Sequence, residues 1–68
     1  MNMDELRAII WDDLFQAQSV KSMHDLAVLT QREILEIRMA VNHEWFTVTE
    51  DGVAIAMAAP SSHYHSSK

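Results

Sequence analysis

The sequence predicts a small α+β domain: three helices followed by a C-terminal β-hairpin. Three observations carry that expectation. Apolar residues recur at helical spacing near the N-terminus, at Met3, Leu6, Ile10, Leu14 and Ala17. A second helical stretch runs from Ser22 to Glu44 without a Gly or Pro. Asp51-Gly52 then stands between two runs rich in β-branched and aromatic residues, the strongest short-range signal for a hairpin.

The first helix is expected over residues 4–18. Asn2 is placed to cap it, and Asp4 and Glu5 fall in the first turn, where the helix dipole favours carboxylates. The stripe from Met3 to Ala17 is the core face. Trp11, Phe15 and Ala8 lie on a second arc, roughly 100° away. That arc either completes the core, because a tiny domain needs its large side chains, or stands exposed as an aromatic patch.

Ser19 to Ser22 reads as a linker. Ser22, with Asp25 three residues on, can open a second helix carrying Met23, Leu26, Ala27 and Leu29. Thr30-Gln31-Arg32-Glu33 is the better capping-box pattern and predicts a third helix over 31–42, with Ile34, Ile37 and Val41 inward. The alternative is two helices plus hairpin. Met23, Ala27, Thr30, Ile34, Ile37 and Val41 also read as one continuous stripe, and a mid-helix Thr costs only a few tenths of a kcal/mol relative to Ala. The capping box favours a break.

The strands are expected at 45–49 and 53–57. A two-residue Asp51-Gly52 loop pairs Val48 with Ile55 and Phe46 with Met57; a three-residue loop with a bulge at Gly52 is the alternative. An isolated hairpin is not stable, so one face must lie on the helices. The expected core is therefore Leu6, Ile10, Leu14, Leu26, Ile34, Ile37, Val41, Phe46, Val48 and Ile55. Residues 1–60 form one domain. Residues 61–68 are expected to be a disordered tail, in which His63 and His65 alone make a weak metal pair.

Composition narrows the function classes. The chain has 68 residues, no cysteine and a net charge of −5, from ten carboxylates against five Lys/Arg. Disulfides, thiolate zinc sites and cysteine nucleophiles are excluded. The acidic balance weighs against non-specific nucleic-acid binding. No apolar run approaches the ~20 residues of a membrane span, and the acidic N-terminus shows no signal-peptide pattern, so the expected setting is cytoplasmic. No phosphate loop or nucleophile motif is present. Neither His24-Asp25 nor His43-Glu44 makes a dyad, because helical sequence neighbours do not face each other. An enzyme is not expected, nor a cofactor, metal or small-molecule substrate.

The element order resembles the winged helix-turn-helix superfamily. Asp25-Leu26-Ala27 looks like the start of its positioning helix. Thr30 to Val41 is similar to its recognition helix, and Trp45 to Met57 resembles its wing. The resemblance covers residues 3 to 58 and rests on element order and apolar spacing. It implies DNA binding through the third helix and the wing, with Gln31, Arg32, Arg38 and Asn42 able to reach bases or phosphates. The local chemistry points elsewhere. Over residues 30–52, Arg32 and Arg38 stand among Glu33, Glu36, Glu44, Glu50 and Asp51, and the wing tip is acidic. Leu35 and Met39 form an apolar pair where a groove reader places polar groups, unless they simply widen the core face.

The leading expectation is a non-catalytic interaction module of winged-helix type. It binds and modulates a protein partner, as an adaptor, regulator or phage- or plasmid-type inhibitor, through Trp11, Phe15, Leu35 and Met39. The alternative is a DNA-binding transcriptional regulator. A third reading is a two-helix plus hairpin protein that forms an obligate homodimer through Trp11 and Phe15.

Overall fold

Asn2 starts the first helix as expected. Its side chain accepts the Glu5 N–H at 2.8 Å, and the Glu5 carboxylate accepts the Asn2 N–H at 3.3 Å. In the computed structural model, which describes residues 2–56, the order is α1 (Met3–Ala17), α2 (Met23–Thr30), α3 (Ile34–Val41), β1 (Phe46–Thr49) and β2 (Gly52–Ile55). This is the predicted α+β domain of three helices and an antiparallel hairpin, not the two-helix alternative. The strand end at Met57, the domain boundary at residue 60 and the tail 61–68 with His63 and His65 lie outside the described residues. The expected Phe46–Met57 and Val48–Ile55 pairs are replaced by Phe46–Ile55 and Val48–Val53. No helix among the described residues is long and apolar enough to cross a membrane.

The break between α2 and α3 falls at Gln31, in the left-handed conformation at φ 59°. The Arg32 N–H bonds back to the Ala27 carbonyl at 3.1 Å, which closes α2. Thr30 is therefore not the cap of the third helix. Its hydroxyl donates to the Leu26 carbonyl at 2.8 Å and belongs to the last turn of α2. The cap is Glu33, whose N–H is taken by the Glu36 carboxylate at 3.1 Å. Consequently α3 is shorter than the expected 31–42 and faces inward with Ile37, Ala40 and Val41. Ile34, expected in the core, is exposed in its first turn.

The hairpin also departs from the expected register. The loop is Glu50-Asp51, and β1 pairs with β2 as Phe46↔Ile55, Val48↔Val53 and Thr49↔Gly52. Gly52 begins β2 instead of sitting in the loop. It has φ 135°, and a Cβ there would lie 2.4 Å from the Lys21 carbonyl oxygen. The glycine thus permits close approach of the α1–α2 linker. Lys21 pairs with Val53 through two backbone hydrogen bonds, at 2.7 and 3.2 Å. That contact gives β2 a neighbour on each side, which the sequence did not announce.

The core consists of Leu6, Ile10, Trp11 and Leu14 from α1, Leu26 from α2, Ile37, Ala40 and Val41 from α3, Phe46 from β1 and Val53 from β2. Among the described residues no polar or charged side chain is buried. Of the expected core, Val48 is exposed and Ile55 half-buried. Trp11, Ala40 and Val53 take their share of the interior. Two polar ties fix the helices. Arg7 Nε donates to the Ala40 carbonyl at 3.0 Å, joining α1 to the end of α3. Lys21 Nζ meets Asp13 at 2.8 Å, joining the linker to α1.

Candidate functional site

Successive residues of α3 turn by about 100°, so Ile37, Ala40 and Val41 toward the core leave Leu35, Arg38 and Met39 on the opposite side, while Ile34, on the Ile37–Val41 side, is exposed because it begins the helix. Leu35 is 61% exposed and Met39 54%. Two of these three side chains are apolar, and Arg38 is the one charge. Leu35 and Met39 are not an extension of the core face.

Met39 also borders a groove of about 770 Å³ between α3, the turn after it and β1. Met23, Phe46 and Val48 line it, together with the polar Arg38, Asn42 and His43 and the carboxylate of Glu44. The turn is ordered locally. His43 Nδ1 accepts the Trp45 N–H at 3.3 Å, and its ring meets the Trp45 ring edge-on at 5.1 Å.

The aromatic pair of α1 divides. Trp11 is only 3% exposed and belongs to the core, so it is not available as a surface contact. The turn-spaced arc is wrapped by other elements far enough to bury the indole but not its neighbour. Phe15 is 49% exposed and stacks on Trp11, centroids 4.9 Å apart and planes within 10°. It lines a smaller groove of about 370 Å³ with Leu14, Val20 and Ile55.

The four residues singled out for DNA do not share a helix face. Gln31 is the left-handed cap of α2, Asn42 is the terminal cap of α3, and Arg32 sits in the turn before α3. Only Arg38 lies within α3. Arg32 is held by Glu36 at 2.9 Å, Arg7 by Asp4 at 3.0 Å and Lys21 by Asp13 at 2.8 Å. Among the described residues Arg38 is the single Lys or Arg outside an ion pair. The hairpin tip presents exposed Glu50 and Asp51. A phosphate backbone on this side would meet one free cation and several carboxylates, the reverse of what counterion release requires.

Sequence reasoning missed Ile34 and Val48 as surface residues. The Glu33–Glu36 spacing, a second capping pattern three residues after Thr30, was the signal for Ile34. Nothing in the sequence marked Val48. Among the described residues, no group of three His, Asp or Glu side chains is disposed to hold a metal ion. No family model, no curated protein and no solved structure matches the chain.

Proposed function

We propose that the chain is a winged-helix-like interaction module, without catalysis of its own, that binds and modulates another protein through the outward face of α3. The observation that carries this reading is the chemistry of that face. Leu35 and Met39, one turn apart and both more than half exposed, flank an arginine that no carboxylate of the described fold neutralises. Exposed apolar side chains beside an unpaired arginine are the usual energetic centre of a protein interface. The matching partner surface offers an apolar ridge and a carboxylate for Arg38. The order of three helices and a hairpin supports the winged-helix comparison, with α3 in the place of the recognition helix and β1–β2 in that of the wing.

The test is a quantitative capture from the native host with three proteins: wild type, Leu35→Ser/Met39→Ser, and Val28→Ser. Val28 is exposed but lies on α2. Partners retained by wild type and Val28→Ser and lost by the α3 double variant support the reading. Equal capture by all three contradicts it. Capture of nucleic acid in place of protein promotes the DNA-binding alternative.

A further inference from the structure

The outer edge of β1 leads to a partner that the chain itself supplies. In an antiparallel ladder, directly opposed residues alternate between pairs that exchange hydrogen bonds and pairs whose N–H and C=O point away from each other. Val53 turns both of its groups to Lys21, away from β1. Val48 is opposed to Val53, so its N–H and C=O point out of the opposite edge. No described residue covers them. The Phe46 N–H on the same edge is taken by the His43 carbonyl at 3.1 Å, and among the described residues nothing takes the Phe46 carbonyl. An uncovered strand edge beside an apolar groove is a template for strand addition.

We infer that the occupant is a second copy of this chain, joined by antiparallel β1–β1 pairing about a two-fold axis at Val48. The local sequence is symmetric about that residue, Thr47-Val48-Thr49. Pairing centred on Val48 sets valine against valine with two exchanged hydrogen bonds, and Thr47 against Thr49 on the other face. It sets Phe46 of each copy against Glu50 of the other. Opposed residues of a ladder share a face, and the Phe46–Val48 face is the one that lines the groove with Arg38, Asn42 and His43. Glu50 of the second copy, the loop residue that follows β1, is thereby brought to the end of the groove lined by Arg38 and Glu44. No carboxylate is opposed to a carboxylate in this ladder, whereas a slip by two residues sets Val48 against Phe46 or Glu50 and removes the valine pair from the axis. The interface is isologous, so each contact occurs twice. The inference goes beyond the α3 reading: it uses the β1 edge and shares Arg38 and the groove beside Met39 with that reading, while Leu35 takes no part in it.

The position of Val48 on the axis makes the test specific. Sedimentation equilibrium of wild type up to about 1 mM should show a monomer–dimer equilibrium. Val48→Lys and Val48→Asp each oppose like charges across the axis and should each weaken self-association at least about tenfold. Mixing the two variants should restore association as a heterodimer, which only a self-opposed residue can produce. Amide exchange on wild type guards against a variant that fails to fold. The Val48 N–H should exchange freely in dilute solution and become protected as concentration rises. A wild type that stays monomeric at about 1 mM overturns the inference. So does a dimer whose Val48 amide remains unprotected, or variants that associate as tightly alone as mixed. None of these results bears on capture through Leu35, so the two readings fail separately.

Discussion

Helices α1 and α3 use apolar residues in different ways. α1 has 15 residues and buries Leu6, Ile10, Trp11 and Leu14, while Asp4, Glu5, Asp12 and Gln16 face solvent. α3 has eight residues, Ile34-Leu35-Glu36-Ile37-Arg38-Met39-Ala40-Val41, and buries only three of its six apolar ones. An isolated helix shorter than about 12 residues is marginal in water, so α3 depends on packing. That packing is supplied by Ile37, Ala40, Val41 and the Arg7–Ala40 bond. Ile34, Leu35 and Met39 contribute little to it. α1 buries its central stripe and leaves Ile9 and Phe15 exposed, whereas three of the six apolar residues of the much shorter α3 stand outside the core. This excess is the reason for placing the interaction surface on α3.

Substitution can break the contrast. Trp11→Ala should have the largest effect, a loss of about 3–5 kcal/mol. A domain of this size rarely holds more than about 3–5 kcal/mol, so the variant should be unfolded by circular dichroism at room temperature. A folded Trp11→Ala protein would place the indole on the surface after all. Ile37→Ala should cost about 2–5 kcal/mol, read as a lowered denaturation midpoint. Gly52→Ala should cost about 2–3 kcal/mol. The new Cβ meets the Lys21 carbonyl, and φ 135° is strained for any L side chain. Retained stability in that variant would mean that the linker does not pair with β2.

Two smaller effects sharpen the comparison. Gln31→Gly should stabilise by about 1 kcal/mol, because Gln31 holds a left-handed conformation that glycine adopts without strain. In a domain this small that is a rise of about 4–8 °C in Tm. Leu35→Ser/Met39→Ser should change stability by no more than about 0.5 kcal/mol per site. A loss of several kcal/mol in the double variant would make the outward face of α3 structural.

These expectations also show what the sequence could reveal. Element type was legible wherever one period ran long enough. The α1 stripe and the alternation on either side of Asp51-Gly52 gave helix and hairpin, and Asn2 and Ser22 act as the caps they resemble. Boundaries set by competing local signals were not legible. Two capping patterns overlap at Thr30 and Glu33, and the fold uses the second, because Gln31 accepts a left-handed turn without being a glycine. The Asp-Gly pair suggested a turn, but the glycine answers a long-range contact with Lys21, which no local pattern encodes. The candidate site was half legible. Leu35 and Met39 are exposed as their spacing suggested. Trp11 is not, because spacing fixes the face of a helix but not how far its neighbours wrap around it.

The central claim is that the outward face of α3 meets protein and not phosphate. Fluorescence anisotropy of a labelled random duplex, titrated with the protein at physiological salt, tests it most directly. Non-specific DNA binders give dissociation constants of about 10⁻⁴–10⁻⁶ M under these conditions. With Arg38 as the one unpaired Lys or Arg among the described residues, the anisotropy should stay flat through about 10⁻⁴ M protein. Saturation at micromolar protein, weakening steeply as salt is raised and lost in Arg38→Ala, would contradict the account and place α3 on DNA.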